Sequence, residues 1–119
     1  MAGAGSGGTY SGVVRYLKEQ DSDIKGILAD PVGSTMGGGE HAPYKIEGIG
    51  NDFIADTMDM SLVDRIYKIN DDEAYAGSRL LASKEGIISG SSTGAAFAAA
   101  QKLIADGAVG NIVFIAPDR

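Results

Sequence analysis

The sequence lacks cysteine altogether and has a single histidine, His41, among 119 residues. Without thiols there is no disulfide framework, no thiolate nucleophile and no cysteine-based metal site. One histidine likewise excludes a multi-histidine metal centre, and we assign no metal ligand. No apolar run approaches the roughly 20 residues that a membrane span needs, and residues 1–5 have no basic stretch typical of a signal peptide. These absences predict a cytoplasmic protein.

Positive charge is also scarce. Ten Lys and Arg residues stand against 16 Asp and Glu, which gives a formal net charge of -6. Because such a surface repels phosphate backbones and anionic lipids, we expect neither nucleic acid nor a membrane as a partner. Hydrophobic residues make up 44% of the sequence. That share and the length fit one small domain or a part of a larger one.

Hydrophobic patterning predicts an α/β domain. We expect a helix after Thr9, strands over residues 25–31 and 63–69, two helices over residues 70–85 and 95–105, and a last strand over residues 111–117. Asn70 and Glu73 have the spacing of a capping box. The glycine-rich stretch over residues 31–59 is typical of a functional loop. The order predicts a three-layer arrangement, a sheet with helices on both faces.

The segment Gly5-Ser6-Gly7-Gly8-Thr9 stands at the entrance of the first helix. Glycines let the backbone approach an anion closely, and a helix N-terminus offers free N–H groups and the positive end of a dipole. Ser6 and Thr9 add hydroxyl donors. The pattern predicts a phosphate site, with a flexible terminus ahead of an ordinary helix as the alternative.

The same segment matches a dinucleotide fingerprint. Gly3, Gly5 and Gly8 satisfy G-x-G-x-x-G, and Asp30 stands 22 residues after Gly8, where an acidic ribose-binding residue is found. The fingerprint must follow a strand, however, and so little chain precedes Gly3 that we expect the first strand of the βαβ unit to be missing. A nicotinamide or flavin dinucleotide-binding fragment stays open as an alternative.

Two further segments are candidate ligand contacts. Ser91, Ser92 and Thr93 form a run of hydroxyls between glycines at the start of the alanine-rich helix, whereas one N-cap needs a single hydroxyl. The run also matches the G-x-S-x-G pattern of hydrolases, but the one histidine lies upstream of it, which disfavours that chemistry. The loop Gly48-Ile49-Gly50 followed by Asn51 is either a substrate contact or a plain turn.

A series of segments in a fixed order carries a family resemblance: GSGGT, YSGVVRYLKE, ILADPVGS, YKIEGIGNDFI, DDEAYAGSRLLASKEG, SGSSTGAA and IVFIAPD. By these segments the chain resembles the cysteine synthase and cystathionine β-synthase family, whose members are pyridoxal-phosphate enzymes of fold type II. The resemblance covers essentially the whole chain. It implies that residues 1–119 form the later part of the catalytic domain and that the cofactor is pyridoxal 5'-phosphate.

The resemblance also implies roles for individual residues. Gly5, Ser6, Gly7, Gly8 and Thr9 take the place of the family's phosphate loop. Ser92 takes the place of the serine that contacts the pyridine nitrogen, where a neutral hydroxyl would leave that nitrogen largely unprotonated. Gly48, Ile49 and Gly50 correspond to the loop beside the cofactor and the amino-acid substrate. Asn51 stands where many cystathionine β-synthases have tyrosine and many cysteine synthases have a small residue.

The implied reaction replaces the β-substituent of L-serine or O-acetylserine with sulfide or homocysteine, in a homodimeric enzyme. The family's Schiff-base lysine lies upstream of the phosphate loop, and no lysine here stands in that motif, so we assign no catalytic residue. We therefore expect the 119 residues alone to be inactive. A non-catalytic subunit that completes its sheet with another chain is a further alternative.

Overall fold

The computed structural model describes residues 1–118. It contains a sheet of three parallel strands in the order β1 (Ala2–Gly3), β2 (Ile27–Pro31) and β3 (Arg65–Ile69). The helices are α1 (Gly8–Gln20), α2 (Asp71–Glu85) and α3 (Ser91–Ala105), and a single 3₁₀ turn, Met60–Leu62, precedes β3. The predicted α/β class is confirmed. None of the helices in this part of the chain is long and apolar enough to cross a membrane.

Helices cover both faces of the sheet, so all five residues of the central strand β2 are buried. Successive side chains of a strand point to opposite faces. Ile27 and Ala29 accordingly pack with α2 and α3, through a core that includes Ala74 and Ala99. Leu28 points the other way, into the core beneath α1. The expected three-layer arrangement is therefore present.

The edge of the sheet differs from the sequence prediction in two ways. A first strand is present after all, because Ala2 and Gly3 pair in parallel with Leu28 and Ala29 of β2. The expected last strand over residues 111–117 is not a regular strand. Within residues 1–118, this segment is hydrogen-bonded to the edge of the sheet through Met1, the residue before β1. The Met1 carbonyl accepts from the Ile115 amide at 3.0 Å. Since β1 is only two residues long, it offers too short a ladder for a regular strand beside it.

The helix α2 begins and ends as its sequence predicts. Asn70 Oδ1 accepts from the Glu73 amide at 2.8 Å, and Glu73 Oε1 accepts from the Asn70 amide at 3.1 Å. Gly86 ends the helix with a φ of 70°. A Cβ on Gly77 would lie 2.5 Å from the carbonyl oxygen of Gly94 in α3. The two helices therefore cross in close contact at these glycines.

A buried ion pair anchors the long loop after β2. Asp30 is fully buried, and its Oδ2 lies 2.5 Å from Lys68 Nζ on the neighbouring strand. The same ammonium donates to the carbonyls of Ser34 at 2.8 Å and Gly38 at 3.0 Å. Because the loop over residues 32–59 has no regular strand or helix, this pair fixes where it leaves the sheet.

Candidate functional site

The glycine-rich segment Gly5–Thr9 leads from β1 into the first residues of α1 at the carboxyl edge of the parallel sheet. Gly7 has a φ of 87° and occupies the N-cap of α1. No side chain accepts a hydrogen bond from the first amides of the helix as a cap. The first N–H groups of a helix have no partner within the helix. The Gly8 amide reaches Ser6 Oγ only at 3.5 Å. The first turn of α1 therefore presents N–H donors and the positive end of the helix dipole at this loop.

Close packing explains why the loop is built from glycine. A Cβ on Gly5 would lie 2.9 Å from the carbonyl oxygen of Gly48, and a Cβ on Gly7 would collide with Met58. A cavity of about 150 Å³ borders the loop, with Gly5, Gly7, Thr9, Gly48, Ile49 and Pro117 in its lining. Glycine backbone, an uncapped helix N-terminus and an adjoining cavity together fit a phosphate group.

The structure brings the loop Gly48–Asn51 against this glycine loop, although 38 residues lie between Thr9 and Gly48 in the sequence. Gly48 and Gly50 have φ values of 82° and 86°, which favour glycine. The Gly50 amide donates to the carbonyl of Ala4 at 2.8 Å. Ile49 is buried, and a Cβ on Gly3 would lie 2.6 Å from its Cγ2. Two segments that the sequence singled out separately thus form one site.

Asn51 links the two loops through its side chain. Its Nδ2 donates to the carbonyl of Gly5 at 2.5 Å. The backbone carbonyl of Asn51 accepts from Ser34 Oγ and from the Thr35 amide, each at 2.9 Å. The amide group that the sequence suggested for substrate contact is therefore engaged with the backbone of the glycine loop.

Ser92 lies in the first turn of α3 and is 4% exposed. The turn is capped by a carboxylate that the sequence reasoning missed. Asp118 accepts from the amides of Gly90 at 3.2 Å, Ser92 at 3.1 Å and Thr93 at 3.2 Å, and from Thr93 Oγ1 at 2.5 Å. One acidic residue near the end of the chain thus replaces the hydroxyl N-cap that the serine run suggested.

The electrostatics of Asp118 follow from these contacts. Burial favours the neutral acid, but the hydrogen bonds that Asp118 accepts at the start of α3 outweigh it and hold the pKa of Asp118 below its usual range. Asp118 therefore places a negative charge at the N-terminus of α3. In the sequence, Asp118 stands out only as an acidic residue directly after an apolar run. That position does not indicate which helix the carboxylate caps.

Not all of the candidate residues meet. Pro117, next to Asp118, lines the cavity beside the glycine loop, but no hydrogen bond within residues 1–118 joins Ser92 to that loop. Asp30 lies apart from both, because it is fully buried and paired with Lys68. A ribose hydroxyl has no route to such a carboxylate. The structure therefore supplies the strand that a dinucleotide fingerprint needs, yet removes its acidic ribose contact.

Comparison with known proteins gives the family. A model of the family described as "Pyridoxal-phosphate dependent enzyme" matches residues 1–118. The chain belongs to the pyridoxal-phosphate dependent enzymes. The expected family and cofactor are thereby confirmed.

Individual relatives are similar over nearly the whole chain. It is 45% identical over 119 residues to the O-acetylserine dependent cystathionine beta-synthase of Bacillus subtilis, covering 99% of this chain and 39% of that protein. It is 48% identical over 102 residues to the cysteine synthase of Helicobacter pylori, covering 86% of this chain and 33% of that protein. The chain thus spans between a third and two fifths of these relatives.

The fold agrees with a solved structure. The crystal structure of O-acetylserine dependent cystathionine beta-synthase from Helicobacter pylori superposes with a TM-score of 0.90 at 44% sequence identity. The match covers 98% of this chain and 39% of that one. The chain therefore has the fold of the corresponding part of that enzyme.

Proposed function

We propose that residues 1–119 form the later part of the catalytic domain of a pyridoxal-phosphate dependent β-replacement enzyme. The reaction would exchange the β-substituent of L-serine or O-acetylserine for sulfide or homocysteine, in a cytoplasmic homodimer. The observation that carries the proposal is the uncapped N-terminus of α1, at a glycine loop beside a cavity of about 150 Å³. The family match and the names of the relatives support it.

Within this proposal, the chain's own residues bind and orient the cofactor. The backbone of Gly5, Ser6, Gly7, Gly8 and Thr9 holds the phosphate through N–H donors and the helix dipole. Ser92 contacts the pyridine nitrogen from the first turn of α3. The cofactor, when bound, supplies the electron sink that lets the bonds at the amino acid's α- and β-carbons break.

The loop Gly48-Ile49-Gly50 lies on the phosphate loop and, in this proposal, forms the wall beside the amino-acid substrate. Ile49 contributes an apolar surface that is 7% exposed, so it helps to exclude water from the site. Asn51 contributes through its hydrogen bond to Gly5. Because its amide is engaged there, Asn51 acts on the substrate indirectly, by fixing the loop on which the cofactor phosphate rests.

We propose that the 119 residues do not catalyse the β-replacement reaction by themselves. A Schiff-base lysine must be a free amine that can reach the cofactor aldehyde. Lys68 of β3 is not a free amine, because it is held by Asp30 and the carbonyls of Ser34 and Gly38. Activity would accordingly require the part of the catalytic domain that carries the family's lysine.

Binding and turnover of the protein, as its source produces it, test this proposal. Intact mass spectrometry first establishes the length of the natural chain. Absorbance titrations with pyridoxal 5'-phosphate and with NADH then compare the two cofactor classes. Saturable binding of pyridoxal phosphate without binding of NADH is expected, and binding of NADH alone would overturn the proposal in favour of a dinucleotide site.

The product shows whether sulfide or homocysteine is the acceptor. The loaded protein is incubated with O-acetylserine or L-serine, and with sulfide or homocysteine, and the amino acid formed is identified by mass spectrometry. Cysteine or cystathionine is expected from the natural chain, and neither from a preparation confined to residues 1–119. If the natural chain binds the cofactor but forms neither product, the β-replacement assignment is wrong and a non-catalytic subunit is the better reading.

A further inference from the structure

Two consecutive carbonyl groups of the glycine loop are bound by side chains of one distant segment, residues 51–57. Asn51 Nδ2 donates to the carbonyl of Gly5 at 2.5 Å. The hydroxyl of Thr57 donates to the next carbonyl along the chain, that of Ser6. The sequence does not single out Thr57, which stands 51 positions after its partner. The two side chains therefore hold the two peptide groups that lie directly before the N-cap of α1.

Each of these peptide groups joins a bound carbonyl to the amide of the following residue. A planar trans peptide directs its C=O and its N–H to opposite sides, and no peptide bond within residues 1–118 is cis. The Gly5 carbonyl therefore sets the direction of the Ser6 amide, and the Ser6 carbonyl sets that of the Gly7 amide. Neither amide donates to another backbone group in the described part of the chain. Ser6 and Gly7 both line the cavity of about 150 Å³.

We propose that Thr57 is a positioning residue for the phosphate group, because its hydroxyl holds the peptide group that aims the Gly7 amide at the ligand. The inference rests on the proposed function, in particular on a phosphate bound by the glycine loop. A peptide beside glycine rotates with little steric resistance, so the Gly7 amide needs an external hold. Asn51 has the same effect on the Ser6 amide. Each of the two side chains thus governs one donor.

Thr57 is suited to this role because the residues after it are attached to α1 itself. The side chain of Met58 is 5% exposed, and its Sδ accepts from Ser11 Oγ at 3.7 Å. The amide of Asp59 donates to the same Ser11 Oγ at 2.9 Å. The Thr57 hydroxyl is therefore held against the helix whose first turn carries the glycine loop.

The test is an NMR titration of the ¹⁵N-labelled protein, of the length that its source produces, with pyridoxal 5'-phosphate and with pyridoxal. An amide proton that donates to phosphate moves to lower field, so the Ser6 and Gly7 signals report the two donors separately and without turnover. Thr57→Val removes the hydroxyl and keeps the shape, whereas Thr57→Ser keeps the hydroxyl. Ser83→Ala is the matched control, because the Ser83 hydroxyl also donates to a backbone carbonyl at an exposed position, that of Leu80 in α2.

The two side chains should affect different amides. Thr57→Val should reduce the downfield shift of the Gly7 amide and leave that of Ser6, and Asn51→Ala should do the reverse. The affinity of Thr57→Val for pyridoxal phosphate should fall about fivefold, the effect of one ordinary hydrogen bond, without an equal fall for pyridoxal. Thr57→Ser should restore the shift and the affinity, and Ser83→Ala should change neither.

The outcomes separate this inference from the proposed function. If pyridoxal phosphate binds but Thr57→Val leaves the Gly7 shift unchanged, the inference is wrong and the proposed function stands. The inference is also wrong if Thr57→Val reduces the Ser6 and Gly7 shifts equally, because Thr57 would then only stabilise the loop as a whole. No binding of pyridoxal phosphate to the natural protein would overturn the proposed function, and this inference with it.

A second measurement covers the case in which Thr57→Val does not fold. Residual dipolar couplings report the direction of each N–H bond in the unsubstituted protein. The Gly7 N–H bond should have the same direction with and without pyridoxal phosphate, because the Thr57 hydroxyl already holds its peptide group. A reorientation of that bond when pyridoxal phosphate binds would overturn the inference without any variant.

Discussion

The side-chain amide of Asn51 donates a hydrogen bond to the backbone carbonyl of Gly5 at 2.5 Å. This contact joins the loop after residue 47 to the glycine loop at the start of α1, across 46 residues of sequence. A glycine-rich loop has high conformational entropy when free, and ordering it on a ligand costs binding energy. In the proposed function, Asn51 therefore orders the glycine loop before the phosphate binds.

Replacing Asn51 should weaken phosphate binding. Asn51→Ala removes a hydrogen bond of about 1 kcal/mol and frees the Gly5 carbonyl, so the affinity for pyridoxal phosphate should fall about fivefold. Asn111→Ala removes the same amide at an exposed position and is the control. Fluorescence titration with pyridoxal phosphate measures both. Equal affinities for the two variants would show that Asn51 does not order the loop.

Replacing Gly7, the N-cap of α1, and Gly12, within α1, by alanine should change the stability in opposite directions. Gly7 has a φ of 87° and its Cβ would collide with Met58, so Gly7→Ala should lower the free energy of unfolding by about 2 kcal/mol or more. Gly12 lies within α1 with no atom within 4 Å of an added Cβ. Gly12→Ala should therefore raise the free energy by about 0.5 to 1 kcal/mol. Urea denaturation measures both values, and a Gly7→Ala protein as stable as the parent would refute the tight packing.

Replacing Lys68, the ion-pair partner of Asp30, should lower the free energy of unfolding. Lys68→Met leaves a fully buried carboxylate without its counter-charge, a change that typically costs 3 to 5 kcal/mol. Because the Lys68 side chain is 29% exposed, we expect the lower end, about 3 kcal/mol. Lys84→Met, at an exposed position in the last turn of α2, should change stability by less than about 0.5 kcal/mol.

A double variant separates the charge from the packing. In Asp30→Asn/Lys68→Met the buried carboxylate is gone, so at least half of the loss seen in Lys68→Met should be recovered in the same denaturation experiment. If the double variant is less stable than the single one, the cost comes from lost contacts with the Ser34 and Gly38 carbonyls and not from the unpaired charge.

Acid should destabilise the fold partly through Asp118. Its pKa is lowered in the folded protein, so the stability it contributes is present above the pKa of an unfolded aspartate, about 3.9. That contribution is lost as the pH falls through the lower, folded pKa, because the protonated acid has no charge and accepts hydrogen bonds from the amides more weakly. The free energy of unfolding should therefore decrease below about pH 4.

Substitutions of single carboxylates show how much of this pH dependence is due to Asp118. Asp118→Asn should flatten the decrease of stability between about pH 5 and pH 2, whereas Asp72→Asn should leave its shape unchanged. Asp59, Asp64 and Glu73 also have lowered pKa values, so part of the acid effect should remain in Asp118→Asn. An unaltered pH profile in Asp118→Asn would contradict the contacts that it makes in the structure.

Local signals in the sequence predicted the parts of the fold that depend on near neighbours. The helix α2 was predicted because Asn70, Glu73 and Gly86 mark its ends through contacts within a few residues. The strands β2 and β3 were predicted because both have apolar residues facing the core. The prediction placed the start of α1 two residues late, because Gly8 and Thr9 have low helix propensity and are typical of a loop.

The remaining features depend on contacts between distant segments. Nothing in Ala2 and Gly3 favours a strand, and β1 exists because β2 offers them a parallel partner. The apolar run over residues 111–117 has the composition of a strand, but its neighbour is too short to pair with it. Asp118 reaches the start of α3 across more than 20 residues, and no local pattern encodes that contact.

Residue-resolved hydrogen exchange of the protein with pyridoxal 5'-phosphate and with pyridoxal tests the central claim most directly. Pyridoxal lacks the phosphate, so the comparison isolates the group that the glycine loop is proposed to hold. The amides of residues 6–9 should be protected by pyridoxal phosphate and not by pyridoxal, and Gly7→Ala should lose that protection. Protection confined to other segments, or equal protection by both compounds, would contradict a phosphate site at the N-terminus of α1.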